Sequence, residues 1–345
     1  MRAVVYLGHG RVGLRDMPAP AIQAPTDALV RVRMAGICGT DLHAVAGHFQ
    51  GMEIGSVVGH EFVGEIIETG GAVTRFRRGD QVMASDFTSC GHCHHCTAGD
   101  NWQCSERSFF GTGTAFGPAL AGAQAEIVRV PHADSTLYAI PKGVSDEAAI
   151  LVGDNLATGW AAIERGRMQP GDIVVVIGGG AVGQLTSLAA QAGGAGAVLL
   201  IEPNEQRRAF ARTHGAIAAS PDAASGLLHQ LSGGRGAELV VEAVGIPKVL
   251  SQAFDLVGRR GSVISVGAHS ERQWPIPLAD CFTREISIGF AIGDSIRLRP
   301  RLLKMIATGI LDPTVVVDRH VGFDEVVSAY DELRAQTSMK TVINL

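Results

Sequence analysis

Residues 172–202 read DIVVVIGGGAVGQLTSLAAQAGGAGAVLLIE. Five β-branched residues, 173–177, run into Gly178, Gly179 and Gly180. A stretch of small and apolar residues follows over 181–192. Gly193, Gly194 and Gly196 break the chain again, and a second apolar run ends on Glu202. That punctuation predicts strand, turn, helix, turn and strand in succession. Length alone would permit a membrane span, but the glycine clusters divide it, and no apolar core with a small-residue cleavage site lies near the N-terminus. A soluble, cytoplasmic protein is expected, with no membrane partner.

Gly178-Gly179-Gly180-Ala181-Val182-Gly183 contains G-x-G-x-x-G, and here the spacing sits where chemistry needs it. Gly178 would make the tight turn, Gly180 would let a pyrophosphate approach the backbone, and Gly183 would let the helix lie close to the strand. Ala181 and Val182 open the helix, whose free N–H groups and dipole favour phosphate. Glu202 stands 19 residues beyond Gly183 at the end of the next strand. An acid there accepts hydrogen bonds from ribose hydroxyls and repels a 2′-phosphate, which favours NAD over NADP. Arg207 and Arg208 weigh the other way, because a nearby Arg can accommodate that phosphate.

Working outward, residues 154–167, 205–214, 300–308 and 323–335 read as helices. Residues 239–243, 262–266 and 340–345 read as strands. Strand alternating with helix predicts a parallel sheet covered on both faces. Residues 1–150 differ: short β runs at 3–6, 28–34, 64–68, 81–84 and 126–130, broken by Pro, Gly and Asp, predict an irregular, mostly antiparallel β region. The 345-residue length suits two domains. Glycine supplies 44 residues without a G-X-Y period, and 46% of the chain is apolar, which excludes collagen and disorder. With 29 basic and 34 acidic residues the net charge is −5, the wrong sign for a nucleic-acid partner. The arginine clusters Arg75/Arg77/Arg78 and Arg297/Arg299/Arg301 read as solvated surface.

Six cysteines are too few for a disulfide scaffold. Cys90, Cys93, Cys96 and Cys104 follow C-x2-C-x2-C-x7-C, which lets four thiolates close around one tetrahedral Zn²⁺. Such a set leaves no open position, so the site would be structural. An iron–sulfur cluster is the rival, although the spacing differs from the common ferredoxin run and no Pro follows Cys104. His92, His94 and His95 interleave that loop as exposed residues, and Cys281 reads as a buried core thiol. Cys38 stands apart in Gly36-Ile37-Cys38-Gly39-Thr40-Asp41-Leu42-His43, and Gly59-His60-Glu61 follows.

In order along the chain come Cys38-Gly39-Thr40-Asp41-x-His43; Gly59-His60-Glu61-x-x-Gly64 with Gly70 and Val73; Gly79-Asp80-x-Val82; the four-cysteine lobe; Gly153-Asp154-x-x-x-Thr158-Gly159; the glycine fingerprint with Glu202; and Glu242-Ala243-Val244-Gly245. This ordered combination resembles the zinc-dependent medium-chain alcohol dehydrogenases over essentially the whole chain. The resemblance implies an α/β fold: a Rossmann doubly wound parallel sheet over 153–299, and a β-rich, GroES-like catalytic domain from 1–152 and 300–345 with a structural zinc lobe near 88–106.

It also implies a second, catalytic zinc held by Cys38, His60 and Asp154, making two per chain, with Glu61 as an alternate ligand and Asp41 orienting His60. Many members carry Cys where this chain has Asp154. The substrate proton would pass to Thr40, then through the cofactor ribose to His43 and solvent. Thr158, Val244 and Val266 would line the nicotinamide half of NAD, and Arg207 would cover the adenine. The implied activity is reversible oxidation of a primary or secondary alcohol to an aldehyde or ketone by hydride transfer to NAD. Two alternatives remain. One is the same mechanism on a polyol, sugar or threonine-type amino-alcohol, against which Asp154-Asn155, where sorbitol-type enzymes carry Glu-Pro, weighs. The other is a non-catalytic nucleotide-binding protein. Relatives are homodimers or homotetramers, often paired through edge strands, here residues 285–292. His48, Phe49, Phe87, Phe109, Phe110 and Phe290 are candidates to shape the substrate pocket.

Overall fold

The computed structural model describes residues 1–269, 271 and 273–345. They form two compact units, Met1–Asp154 with Asp294–Leu345, and Asn155–Gly293.

In the first unit the short β runs build a seven-stranded sheet. Its order is Arg319–Gly322, Thr341–Asn344, Ala28–Ile37, Phe62–Thr69, Gln81–Ala84 and Leu137–Ala139, with Ile127–Val130 also paired to Ala28–Ile37. Arg319–Gly322 runs parallel to Thr341–Asn344, and the sheet's other pairings are antiparallel. The long strand Ala28–Ile37 organises the unit. Its first half takes Ile127–Val130, and its second half takes the C-terminal strand, with Ile37 opposite Thr341. Val30, Val32, Ile37, Phe62, Ile66 and Val130 turn into one core with Phe323, Val326 and Tyr330 from the C-terminal segment. Each such burial stabilises by about 1.5–3 kcal/mol, which is why residues after 294 fold with the N-terminal sheet.

The second unit is a six-stranded parallel sheet in the order Ile217–Ala219, Ala197–Ile201, Ile173–Ile177, Ala237–Glu242, Val257–Ser265 and Ser287–Phe290. The first strand in the chain lies inside the sheet. Two strands step out to one side of it and three to the other, the doubly wound order with its switch point between Ile173–Ile177 and Ala237–Glu242. Val174, Val175, Val176, Leu199, Leu200, Val240 and Val241 have no exposure, as a sheet covered on both faces requires. Helix Ala181–Ala192 and strand Ala197–Ile201 have the predicted limits. Gly180 caps the helix start in an extended conformation, and Gly194 turns the chain away at φ +94°. Helix Asn155–Arg165 packs against this helix at Gly159, where a Cβ would stand 2.8 Å from Thr186 N.

Several sequence expectations need correction. The helix expected at 300–308 starts at Ser295: Asp294 accepts a hydrogen bond from Arg297 N at 3.0 Å, and this cap sets the start, leaving Pro300 inside the helix. Residues 323–335 divide into a 3₁₀ turn, Phe323–Glu325, and helix Val326–Arg334. Helices Asp146–Val152, Pro221–Ser232, Pro247–Leu256 and Leu278–Arg284 add to those expected. Arg299 is not solvated surface: it is buried, and its guanidinium donates to Thr136 O (2.8 Å) and Ser135 O (2.6 Å). Cys281 is half-buried at the margin of the second unit's core rather than inside it. Among the described residues no helix is long and apolar enough to cross a membrane.

Candidate metal centres and nucleotide site

Strand Ala28–Ile37 delivers Cys38 to the N-terminus of helix Gly39–Val45. Asp41, in that helix's first turn, reaches back. Its Oδ2 accepts from Cys38 N at 2.9 Å and from Gln124 Nε2 at 3.3 Å, while its Oδ1 accepts from His60 Nδ1 at 2.9 Å. A carboxylate on Nδ1 fixes the tautomer and leaves the Nε2 lone pair free to ligate. His60 Nε2 lies 3.3 Å and Cys38 Sγ 3.6 Å from Asp154 Oδ2. Ligand atoms of Cys38, His60, Glu61 and Asp154 all lie within 4.8 Å of one another. Tetrahedral bonds to Zn²⁺ of about 2.0–2.3 Å place neighbouring donors about 3.3–3.8 Å apart. The donor set therefore fits that ion.

The electrostatics agree. Burial would depress the His60 imidazole, but Asp41 and the contact with Asp154 outweigh it and hold the group well above its ordinary value. Burial pushes the Cys38 thiol up, and the Asp154 and Glu61 carboxylates push it further. Burial would also raise Asp154, yet its hydrogen bond to His60 and the His60 charge bring it down to about 2. Burial lifts Glu61 to about 7 against the opposing charge of Lys340. A thiol and a carboxylate held back from ionising by burial and like-charged neighbours, beside one ionised carboxylate and one imidazole, are groups that a dication would satisfy.

Thr40 and His43 lie half-buried on helix Gly39–Val45. His43 Nδ1 is 3.0 Å from His48 Nδ1, and burial followed by the His48 charge lowers the His43 pKa below 6.5. Of the candidate pocket aromatics, Phe109 packs on the His60 ring at 5.2 Å and Phe49 faces His43 at 6.3 Å. Phe110 and Phe87 are fully buried, against Phe62 and Trp102. Phe290 is exposed on the second unit's edge strand.

Cys90, Cys93, Cys96 and Cys104 form a second cluster, again with all ligand atoms within 4.8 Å. Backbone N–H groups already point at the sulfurs: Cys90 N at Cys104 Sγ (3.2 Å), Cys93 N at Cys90 Sγ (3.4 Å) and Glu106 N at Cys104 Sγ (3.4 Å). Backbone donors of Cys96 and Ser105 hold the Cys93 thiol down to about 5, a thiolate suited to metal.

In the second unit each fingerprint glycine answers a different demand. Gly178 has φ +103°, and a Cβ there would come within 2.7 Å of Val244 Cγ2. A Cβ on Gly183 would strike Gly178 O at 1.8 Å, whereas around Gly180 nothing lies within 4 Å. The close packing and the open approach are thus both present. Ala181 and Val182 form the first turn of the helix over that opening. Glu202 is buried; its Oε2 accepts from Gly179 N at 2.7 Å and its Oε1 from Asn204 N at 2.9 Å. Arg207 lies half-buried on helix Glu205–Thr213, and its carbonyl accepts from Gln184 Nε2 at 3.0 Å. Arg208 is tied to Glu202 O and Pro203 O, both at 2.6 Å. Thr158 meets Gly293, where a Cβ would stand 2.6 Å from its N. Val244 is exposed, and Val266 N donates to Glu242 O at 2.9 Å.

The profile of the alcohol dehydrogenase GroES-like domain matches residues 24–142, and that of the zinc-binding dehydrogenases matches residues 181–308. The chain belongs to the zinc-type medium-chain alcohol dehydrogenase family. It is an alcohol dehydrogenase-type oxidoreductase acting on a small molecule. It is 37% identical to a protein of Mycobacterium tuberculosis named "probable zinc-binding alcohol dehydrogenase", over 98% of this chain and 86% of that protein. The alcohol dehydrogenase of Thermus sp. ATN1 superposes with a TM-score of 0.95 at 34% identity, covering 100% of this chain and 99% of its own. A 2-dehydro-3-deoxy-L-galactonate 5-dehydrogenase of Pseudoalteromonas atlantica is 32% identical over 84% of this chain and 82% of that protein.

Lys340, Gln124, Tyr330 and Asp86, all beside this candidate centre, escaped the sequence reading. Lys340 is fully buried against Glu61. Gln124 joins Asp41 to Gly36 O (2.8 Å) and accepts from Tyr330 Oη (2.8 Å). Asp86 is buried and pushed well above the usual carboxylate range by burial and the Asp154 charge. Its Oδ1 accepts from Ser85 Oγ (3.2 Å), which accepts from Ser295 Oγ (2.7 Å). Each acts with at least one group distant in the chain, so no local spacing announces it.

Proposed function

We propose that this chain reversibly oxidises a primary or secondary alcohol to the aldehyde or ketone, with zinc at Cys38, His60 and Asp154 and NAD as hydride acceptor. The observation that carries the reading is the convergence of a buried thiol and a buried imidazole on one partly buried carboxylate, with Asp41 fixing the imidazole. Three donors leave a fourth position for water or substrate, whereas the four-cysteine set is closed and structural.

When bound, zinc supplies Lewis acidity that lowers the pKa of a hydroxyl by many units, and nicotinamide supplies the hydride acceptor. The protein's own part is orientation and proton movement. Thr40 accepts the proton of the substrate hydroxyl while passing its own toward His43, since a hydroxyl is too weak a base to act alone. His43, kept neutral by burial and by His48, takes the proton and hands it to His48, which is exposed. Gly178, Gly180, Ala181, Val182 and Gly183 receive the pyrophosphate. Thr158, Val244 and Val266 flank the nicotinamide, and Arg207 covers the adenine. Glu202 exchanges its hold on Gly179 for the adenosine ribose hydroxyls. Arg208 is held by backbone carbonyls and by Glu205, which supports NAD over NADP. Strand Ser287–Phe290, at the sheet edge with Ile288 and Phe290 exposed, supports pairing into a homodimer or homotetramer.

A polyol or sugar-acid substrate is the second reading, favoured by the sugar-acid dehydrogenase among the relatives. Alcohols, polyols and ketones assayed with NAD(H) and NADP(H) by cofactor absorbance separate the two. Turnover of simple alcohols with NAD is expected. Turnover confined to polyols selects the second reading, and no turnover with either cofactor refutes both.

A further inference from the structure

Glu61 stands in the donor cluster with its two oxygens in different hands. Oε2 accepts from Lys340 Nζ, and both side chains are 1% exposed. Lys340 Nζ also lies 3.4 Å from Ile37 O. Oε2 occupies a slot that exists because residue 36 is glycine: a Cβ there would stand 1.8 Å from it. Oε1 is buried and has no hydrogen-bond partner among the described residues, although the carboxylate shares its neighbourhood with Cys38, His60 and Asp154. Lys340 is itself fixed. Its N donates to Asp318 Oδ1 at 3.0 Å, and the strand it leads into pairs Thr341 with Ile37.

We infer that Lys340 is a positioning residue that holds Glu61 back from permanent ligation and so keeps the fourth metal position open. The inference rests on the reading of Cys38, His60 and Asp154 as a metal centre. Cys38, Asp154 and Glu61 bring three negative charges to a dication, and Lys340 restores neutrality. Without Lys340, the metal is the one cation left to satisfy a buried carboxylate, and an uncompensated buried charge is costly. Glu61 then closes the set to four protein donors, the arrangement of a structural site.

The test uses the full chain loaded with Co²⁺, whose visible absorption reports the donor set, and the rate of metal loss to a chromophoric chelator. Lys340→Met is expected to change the spectrum, to abolish its response to added imidazole, and to slow metal loss about tenfold. Lys340→Arg should keep the native spectrum and rate. Lys340→Met combined with Glu61→Gln should regain rapid loss, which a merely structural role for Lys340 would not produce. The cobalt held by the four cysteines serves as the folding control in every variant. An unchanged spectrum and rate in Lys340→Met, or faster loss that Glu61→Gln does not reverse, overturns the inference. A wild-type chain that takes up cobalt at the four cysteines alone overturns the metal-centre reading, and the inference with it.

Discussion

Replacing Asp41 by asparagine keeps the shape of a buried side chain and removes one of its acceptors. The carboxylate serves three donors: His60 Nδ1 and Cys38 N, both at 2.9 Å, and Gln124 Nε2 at 3.3 Å. An amide offers one acceptor oxygen and a donor NH₂. If the oxygen faces His60, then Cys38 N and Gln124 Nε2 confront the NH₂. If the NH₂ faces His60, the imidazole must carry its proton on Nε2, which then cannot ligate. The first orientation strands a buried donor, at a cost of about 1–3 kcal/mol, and the second takes the imidazole away from the metal. The surviving bond also loses the strength a charged acceptor gives it. At 1.4 kcal/mol per factor of ten, this predicts about tenfold to hundredfold faster zinc loss from this centre. Transfer of zinc to a chromophoric chelator should be biphasic in the wild type. In Asp41→Asn the phase that tracks loss of turnover should accelerate, and the phase from the four cysteines should not. Unchanged kinetics in both phases would refute the assignment of Asp41 as the residue that orients His60.

Glu202→Ala should erode the preference for NAD over NADP in kcat/KM, and an unaltered ratio removes Glu202 from the ribose site. His43 must be neutral to accept a proton, so alcohol oxidation should be present above its pKa and lost as pH falls through it, below 6.5. His43→Gln should lower kcat by about a hundredfold and flatten that acid limb, and a variant that keeps the limb places the proton path elsewhere. In Gly183→Ala the gain of about 1 kcal/mol in helix propensity is set against a Cβ 1.8 Å from Gly178 O. NADH binding, followed by fluorescence titration, should weaken at least tenfold, and unchanged affinity would show that the turn can yield.

Where structure is decided locally, the sequence was enough. Residues 173–202 contain their own breaks, so helix Ala181–Ala192 and strand Ala197–Ile201 could be delimited to the residue. The four cysteines lie within a 15-residue loop and read as one site for the same reason. Where partners are distant, the local pattern misleads. Arg299 looks like part of an exposed basic run, yet carbonyls 163 and 164 residues away draw it inside. Lys340 reads as the first residue of an ordinary strand, and its carboxylate partner lies 279 residues away. Helices Pro221–Ser232 and Pro247–Leu256 each carry Pro in the first turn, a local start signal. The start at Ser295 was legible in Asp294, but Pro300 offered a competing one.

Zinc content and alcohol-dependent NADH formation, measured on one preparation before and after mild chelation and after zinc is restored, test the central claim most directly. About two zinc ions per chain are expected, with loss of one together with the activity, and recovery of both. Activity that survives loss of the labile ion, or a preparation that binds a single zinc and is fully active, would contradict it.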